Sequence, residues 1–301
     1  MNHTLELENI SKSYDHFVAV DHLSFQIRRG SVYGLLGPNG AGKTSSLRMM
    51  IGITLPDSGE VRIFGEKFRR QLLMRIGYLP EERGLYRKMK LLDQLVFLAE
   101  LKGVSARDAA HRAASWCGRL QLGDWMHKKV EELSKGMQQK VQFIAAILHD
   151  PDLLILDEPF AGLDPANAVV LKDVLLEQKK AGKTILFSTH RMDQVERLCD
   201  SICLINHGKA VLEGELKQIK AKYGKNNVQL EYEGDGNFLD ESPLVERCNN
   251  YGNYVEVRLK PGADPQELLR LAASRARVNK FELVEPSLEE IFIDVVGAGN
   301  A

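Results

Sequence analysis

One segment constrains this chain more than any other: Gly37–Thr44 has the sequence GPNGAGKT and fits the pattern G-x-x-x-x-G-K-[ST]. It follows the apolar run Val32–Leu36 and precedes Thr44–Ile51, which is compatible with a helix. Glycines in such a loop let the backbone fold around phosphate oxygens with its N–H groups pointing inward, and the helix adds its positive N-terminal end. This order of elements favours a phosphate-binding loop over a glycine-rich turn without function.

The polar residues of this loop have distinct predicted roles. The Lys43 ammonium can reach the β- and γ-phosphates of ATP, and the Thr44 hydroxyl is placed to bind Mg²⁺. Ser45 is a further candidate phosphate contact. The predicted nucleotide site therefore includes Gly37, Pro38, Asn39, Gly40, Ala41, Gly42, Lys43, Thr44 and Ser45.

A second chemical feature is the apolar run Leu153–Leu156, which is followed directly by Asp157 and Glu158. A strand here would place Asp157 at the carboxyl edge of a parallel sheet, where ligands of open α/β sheets bind. Asp157 can then bind Mg²⁺ directly or through a water molecule, and Glu158 can polarise a water for attack on the γ-phosphate. A helix N-cap is the alternative for an isolated Asp-Glu pair, but the phosphate loop upstream favours the catalytic interpretation.

The pattern along the chain predicts an α/β fold. Short apolar runs alternate with helical stretches as far as about Gly214, which favours a mostly parallel sheet covered on both faces. The early segments Leu5–Ile10, Val18–Ile27 and Glu60–Phe64 alternate more regularly and predict a small antiparallel sheet. Between Met89 and Gln121 the pattern becomes helical. We therefore expect a P-loop core with an N-terminal antiparallel β subdomain and an inserted helical subdomain over about 86–150.

The last part of the sequence has a different pattern of polar and apolar residues. The polar segment 219–227 predicts a linker between a nucleotide-binding domain over 1–218 and a small α+β domain over 228–301. Two helix starts are marked in that second domain. Asp264 precedes a proline and a glutamate, and Ser287 precedes Glu290 at the spacing of a capping box.

Composition excludes several other classes of protein. The net charge is −1 over 301 residues, so the chain lacks the excess of Lys and Arg expected of a protein that binds nucleic acid. No uncharged apolar run approaches the roughly 18 residues that cross a bilayer, and Met1–Ile10 carries charges that a signal peptide would not. Cys199 and Cys203 form a CxxxC pair without a second pair or a nearby His cluster, so we interpret them as buried thiols in a reducing cytosol.

From Leu5 to about Gly214 these motifs resemble the nucleotide-binding subunit of ABC transporters. Five further segments match that family in order: Ser11–Tyr14 with the adenine-stacking aromatic Tyr14, Ile76–Tyr86 as the Q-loop, Leu133–Met137 as the signature, Ala161–Asp164 as the D-loop, and Ser188–His190 with the switch histidine. The resemblance implies ATP and Mg²⁺ as cofactors and ATP hydrolysis as the activity. It also implies that His190 contacts the γ-phosphate and orients the attacking water together with Glu158.

The resemblance further implies a site that is divided between two subunits. Ser134 has the position of a helix N-cap, and taken alone it would be an ordinary cap. In the family, the residues at Ser134 and Gly136 face the γ-phosphate bound by the opposite subunit, and the residue at Asp164 lies between the subunits. Asp164 precedes Pro165, so it is also expected to be a helix N-cap. We therefore expect a second ATPase subunit as partner, with a head-to-tail homodimer favoured.

Two departures from the family pattern stand out. The signature is LSKGM rather than LSGGQ, so that Lys135 and Met137 replace a glycine and a glutamine. Glu81 stands where the Q-loop glutamine is expected. Its carboxylate can reach Mg²⁺ but adds negative charge near the phosphates, so Glu81 is either a metal or water contact or a residue outside the machinery.

The segment Pro80–Tyr86, the signature and the tail around Leu288–Phe292 are similar to bacterial exporter ATPases related to sodium-extrusion and multidrug systems. In that branch the ATPase is cytoplasmic, peripheral on the inner face of the membrane, and bound to a separate membrane-spanning permease. The groove near Glu81–Tyr86 and the insertion Met89–Gln121 would receive that permease. An importer ATPase, a soluble ABC ATPase acting on ribosomes or DNA, and one half of an asymmetric pair remain alternatives.

Overall fold

The computed structural model describes residues 3–82, 84–223 and 227–297. The chain divides into two compact units, Met1–Gly214 and Glu215–Ala301. The strands are β1 (His3–Tyr14), β2 (Phe17–Arg28), β3 (Val32–Leu36), β4 (Ser58–Ile63), β5 (Glu66–Lys67), β6 (Ile76–Leu79), β7 (Leu153–Asp157), β8 (Thr184–Thr189), β9 (Ser201–Asn206), β10 (Lys209–Glu215), β11 (Asn227–Glu233), β12 (Val245–Asn250), β13 (Val255–Leu259) and β14 (Arg277–Val284). The α-helices are α1 (Lys43–Met50), α2 (Leu91–Glu100), α3 (Ala106–Arg119), α4 (Lys135–Ile147), α5 (Pro165–Lys180), α6 (Met192–Leu198), α7 (Leu216–Tyr223), α8 (Asn237–Asp240), α9 (Pro265–Arg275) and α10 (Leu288–Gly297).

The sheet that carries the phosphate loop has six strands in the order β10-β9-β3-β8-β7-β6. β3 pairs in parallel with β8 and β9, and β7 pairs in parallel with β6 and β8. Every residue of β3, β7 and β8 is buried, as expected of strands covered on both faces. The predicted parallel core is confirmed. The carboxyl ends of these strands meet at one edge, where Leu36 lies beside Thr189 and Asp157 beside Ser188.

A second, antiparallel sheet has the order β2-β1-β4-β5 and confirms the predicted N-terminal subdomain. Along β2 the buried residues Leu23, Phe25 and Ile27 alternate with exposed ones, because only one face of this sheet packs on the core. The ring of Phe25 stacks on Tyr33 of β3 with 5.0 Å between centroids. The two sheets therefore share one hydrophobic core.

The helical insertion consists of α2, α3 and α4. α3 starts at the N-cap Ser105, whose hydroxyl accepts a hydrogen bond from the Asp108 amide at 3.2 Å. It buries Ala109, Ala113 and Cys117 at intervals of four residues, which is the spacing of one helix face. Within the described ranges, no helix combines the length and the apolar character needed to span a bilayer.

The C-terminal unit holds a four-stranded antiparallel sheet in the order β12-β13-β11-β14 around its own core. Both predicted helix starts are confirmed. Asp264 accepts a hydrogen bond from the Gln266 amide at 2.9 Å. Ser287 and Glu290 each accept a hydrogen bond from the other's amide, both at 3.2 Å. This unit is therefore α+β, as predicted for the small domain; residues 298–301 lie outside the described residues.

The linker predicted over 219–227 is wrong in part. α7 continues to Tyr223 and β11 begins at Asn227, while 224–226 lie outside the described residues. Leu216 and Ile219 are the buried residues of α7. Because only these two residues of α7 are buried and its remaining surface is largely polar, the local sequence does not reveal this short amphipathic helix. The boundary between the compact units correspondingly falls at Gly214–Glu215 rather than after residue 218.

The stability of the N-terminal unit should depend on His149. Its Nε2 atom lies 3.1 Å from the Ile76 carbonyl oxygen, to which the Lys102 ammonium also donates at 3.2 Å. Burial, and secondly the Lys102 charge, lower the pKa of His149 from 6.5 to about 4. Because the folded state disfavours the charged imidazolium, the unfolded chain gains a proton that the folded chain does not as the pH falls from 6.5 towards 4.

We expect the free energy of unfolding to fall by about 2 kcal/mol over that pH range, a value below the full linkage figure because His149 is partly exposed. His149→Gln can still donate to the Ile76 carbonyl but does not titrate, so it should lose less stability on acidification. Urea unfolding of both proteins at pH 7.5 and 4.5 measures the difference. An identical loss in the two proteins would contradict this assignment.

Candidate nucleotide-binding site

A cavity of about 300 Å³ opens at the carboxyl edge of the six-stranded sheet. Its lining combines the phosphate loop with residues from the end of β1, the start of β2 and the ends of β6 and β7: Tyr14, Phe17, Ala19, Asn39, Gly40, Gly42, Lys43, Thr44, Ser45, Glu81, Asp157 and Glu158. Ten of these belong to the predicted site, and Phe17 and Ala19 are additions. Gly37 and Ala41 are buried beside the cavity, and Pro38 is exposed.

The loop conformation depends on glycine at two positions. Gly37 has φ +154° and Gly42 has φ +105°, both in the region that L side chains rarely adopt. A Cβ atom at Gly37 would overlap the Ile205 carbonyl oxygen, and one at Gly42 would overlap the Ala19 carbonyl oxygen. α1 begins directly after Gly42, so its free N–H groups face the space that a phosphate would fill.

Lys43 lies inside this loop. Its ammonium donates hydrogen bonds to the carbonyl oxygens of Gly37 at 2.8 Å and Pro38 at 3.1 Å. Burial lowers the pKa of Lys43, while the carboxylates of Glu158, Asp157 and Glu81 act in the opposite direction. A buried cation held among carbonyl dipoles is well placed to bind an incoming phosphate oxygen.

Asp157 ends β7 and is 1% exposed. One carboxylate oxygen accepts a hydrogen bond from the Ser188 hydroxyl. The other, Oδ2, is buried and has no hydrogen-bond partner among the described residues. A buried anionic oxygen without a partner is costly, and a divalent cation would compensate it.

The donor set fits Mg²⁺. Thr44 lines the same cavity as Asp157, and Mg²⁺ is usually held by one or two protein oxygens together with water and substrate phosphates. Within the described part of the chain, no three His, Cys, Asp or Glu side chains form a metal cluster of their own. Glu81 also faces this cavity, so its carboxylate is a third candidate ligand.

Glu158 has an unusual backbone and a well-held side chain. Its φ is +46°, in the left-handed region that non-glycine residues adopt at a cost. Its Oε1 atom accepts a hydrogen bond from the His190 amide at 3.1 Å and lies 2.8 Å from Nδ1 of His190. Its Oε2 atom accepts from the Thr189 hydroxyl at 3.1 Å. The carboxylate is thus oriented within the cavity, and His190 contacts the nucleotide region through it.

Several residues of the site do not follow from the local sequence. Ser188 and Thr189 hold the two carboxylates only because β8 pairs in parallel with β7, a neighbour relation that the sequence does not specify. Phe17 lies opposite Tyr14 at the end of the β1–β2 hairpin, and both rings are exposed at the cavity. The two aromatic residues on either side of the polar pair Asp15-His16 are the signal that could have indicated Phe17.

Seven predicted residues do not line this cavity. Gly37, Pro38 and Ala41 belong to the phosphate loop and His190 contacts Glu158, whereas Ser134, Gly136 and Asp164 lie in other segments. Ser134 is exposed and caps α4, accepting a hydrogen bond from the Met137 amide at 3.3 Å. Asp164 is exposed and caps α5, accepting from the Asn167 amide at 2.9 Å. A side chain built at Gly136 would come within 3.4 Å of the Gly162 carbonyl oxygen. The signature and the D-loop are therefore neighbours of each other.

This fold and this loop define a P-loop nucleotide-binding protein. The family described as ABC transporter matches residues 20–161, and residues 214–296 match the family described as ATP-binding protein DrrA1-3-like, C-terminal domain. The chain belongs to the ATP-binding proteins of ABC transporters, a family of ATPases.

Relatives of similar length support this membership. The chain is 44% identical to the ABC transporter ATP-binding protein YhaQ of Bacillus subtilis, over 98% of this chain and 99% of that protein. It is 34% identical to Nod factor export ATP-binding protein I of Cupriavidus metallidurans, over 99% of this chain and 98% of that protein. A solved ATP-binding subunit of an ABC transporter is 32% identical, with a TM-score of 0.68 over 73% of this chain and 93% of that chain.

The unpartnered oxygen of Asp157 leads to a test of the metal site. Asp157→Asn keeps an oxygen for the Ser188 hydroxyl but removes the anionic Oδ2. We expect Mg-ATP binding to weaken by about ten- to a hundredfold, whereas ATP binding in EDTA should change little. Calorimetry with and without Mg²⁺ measures both. Asp173→Asn, at an exposed residue of α5, is the control. An equal loss of affinity in EDTA would contradict a metal role for Asp157.

Proposed function

We propose that this chain is the ATP-hydrolysing subunit of an ABC exporter, bound on the cytoplasmic face of the cell membrane to a separate permease. The observation that carries the catalytic part is the Glu158 carboxylate, which lines the same cavity as Lys43 and is held by Thr189 and His190. An oriented carboxylate beside a phosphate loop suits the activation of a water for in-line attack.

In the proposed reaction, the loop amides and Lys43 bind the β- and γ-phosphates of ATP. Mg²⁺, when bound through Thr44 and Asp157, supplies charge neutralisation at those phosphates. Glu158 orients the attacking water and accepts its proton, and His190 keeps the Glu158 carboxylate directed at the γ-phosphate. Tyr14 and Phe17, at the outer end of the cavity, are positioned to stack on the adenine.

The position of the signature supports dimerisation. Ser134 and Asp164 are exposed and do not line the cavity that contains Lys43. The N-terminus of α4 carries free N–H groups beside the Ser134 hydroxyl, which is a suitable environment for an anion. We infer that Ser134, Gly136 and Asp164 complete the site of a second copy of this chain, and that ATP stabilises the head-to-tail homodimer.

An exposed apolar patch supports a permease partner. Met74, Tyr86, Phe97 and Leu101 are between 37% and 61% exposed, and we call them the coupling patch. The Tyr86 and Phe97 rings meet edge to face at 5.9 Å. Met74 abuts the turn that follows Leu101, since its methyl carbon lies 3.3 Å from a Cβ built at Gly103. Contiguous exposed apolar residues of this kind mark protein–protein contacts.

The export direction rests on the relatives. The similarity to Nod factor export ATP-binding protein I runs through nearly the full length of both chains, including the small C-terminal domain. In the proposed assembly the permease, and not the ATPase, recognises the transported molecule.

The assignment of Glu158 predicts that Glu158→Gln binds ATP but does not turn it over. Without a base the kcat for ATP hydrolysis should fall by at least about a hundredfold. Unhydrolysed ATP should then accumulate at the dimer interface, so that sedimentation detects a dimer in ATP and a monomer without nucleotide. Glu267→Gln, on the exposed surface of α9, is the matched control. Undiminished phosphate release by Glu158→Gln would remove Glu158 from its role.

The coupling patch gives a separate prediction. Leu101→Glu places a charge on an exposed apolar site, so folding and the ATPase activity of the isolated protein should not change. Binding to stripped membrane vesicles from the source cells, measured by sedimentation, should weaken markedly. Val169→Glu, at another exposed apolar residue, is the control. Equal binding of Leu101→Glu and the unaltered protein would argue against this docking surface.

A further inference from the structure

The first turns of α4 carry three consecutive polar side chains that hold three different parts of the N-terminal unit. Gln138 donates to the carbonyl oxygens of Val130 and Leu133 at 3.2 and 3.0 Å. Gln139 donates to those of Glu158 and Pro159 at 3.4 and 3.1 Å. Lys140 donates to that of Leu120 at 3.0 Å. Buried polar groups are costly without partners, so each side chain ties α4 to the segment it contacts.

Gln139 differs from its neighbours because it contacts the catalytic segment. Its side chain is 4% exposed, and its amide nitrogen lies between two successive carbonyl oxygens directly after β7. The Glu158 carbonyl also accepts a hydrogen bond from the Ala161 amide at 3.0 Å. On the other side of the same residue, the Glu158 amide donates to the Ser188 carbonyl at 3.1 Å. The Glu158 backbone is thus fixed from β8 on one side and from α4 on the other.

This double attachment matters because Glu158 has a strained backbone. At φ +46° the left-handed conformation of a non-glycine residue persists only when surrounding contacts impose it. The direction of the Cα–Cβ bond, and with it the carboxylate, changes if φ relaxes. Displacement of a catalytic group by about 1 Å can cost about a hundredfold in rate.

We propose that Gln139 is a positioning residue for ATP hydrolysis, which holds the Glu158 backbone so that the carboxylate is correctly directed. The proposal rests on the role of Glu158 in the proposed function. Gln139 lies five residues after Ser134 on the same helix, a rise of about 7.5 Å. The helix that presents Ser134 to the second subunit therefore also holds the catalytic glutamate of its own subunit, and Gln139 connects the two sites.

The primary test compares Gln139→Met with Lys140→Met in the full-length chain. Methionine fills a similar volume and donates no hydrogen bond. Lys140 is buried on the same helix and also donates to a backbone carbonyl, but that carbonyl belongs to Leu120. We expect Gln139→Met to lower kcat by about ten- to a hundredfold with little change in KM or in the calorimetric ATP affinity. Lys140→Met should lose comparable thermal stability and retain kcat.

A second readout separates positioning from structural support. In Gln139→Glu the new side chain faces the same two carbonyl oxygens. A carboxylate cannot donate a hydrogen bond to them, but a protonated carboxyl can. Its burial raises the pKa of such a carboxyl. The ratio of its kcat to that of the unaltered protein, taken at each pH, should therefore be higher at pH 6 than at pH 8.5. A residue with a merely structural role would give the same ratio at both pH values.

The outcomes are distinguishable. A loss of kcat confined to Gln139→Met, together with the pH-dependent ratio of Gln139→Glu, supports the proposal. An equal loss of kcat in Gln139→Met and Lys140→Met, or full kcat in Gln139→Met, overturns the positioning role of Gln139. If Glu158→Gln is inactive in the same experiments, the proposed function still stands. Full activity of Glu158→Gln overturns both the role of Glu158 and the positioning role of Gln139.

Discussion

The parallel pairing of β3, β7 and β8 determines where the chemistry of this protein can occur. Because these strands point the same way, the phosphate loop, the Asp157–Glu158 pair and the Thr189–His190 pair all follow strand ends at one edge of the sheet. Their side chains then meet although more than a hundred residues separate the loop from the carboxylates. Both faces of the strands are buried, so the register cannot slip without exposing apolar surface.

Electrostatics at that edge is balanced for a phosphate ligand. Lys43 is a buried cation whose own loop supplies carbonyl partners, and three carboxylates surround it at the cavity. The unpartnered Oδ2 of Asp157 leaves one negative site uncompensated within the protein. Binding of a nucleotide with its divalent cation would satisfy both groups at once, because phosphate oxygens pair with the ammonium and the metal pairs with the carboxylate.

Different parts of the molecule were predictable from the sequence for different reasons. The phosphate loop, the carboxylates after β7 and the caps at Ser134, Asp164 and Ser287 depend on residues adjacent in the chain, so local patterns identify them. The predicted linker is partly wrong, because only two residues of α7 are buried and the helix is too short to show a clear apolar periodicity. The roles of Ser188 and Gln139 do not follow from the local sequence, because both depend on partners far away along the chain.

The sequence by itself determined the class of site, because Gly37 and Gly42 adopt conformations open to glycine and are followed at fixed spacing by Lys43 and Thr44. It also determined the alternation of strands and helices, since periodicity is a local property. Only the tertiary structure decided which side chains hold Glu158 in its left-handed conformation, because those contacts come from β8 and α4. The tertiary structure also decided that the signature lies outside the nucleotide cavity, because the position of the signature depends on how the helices pack and not on a local pattern.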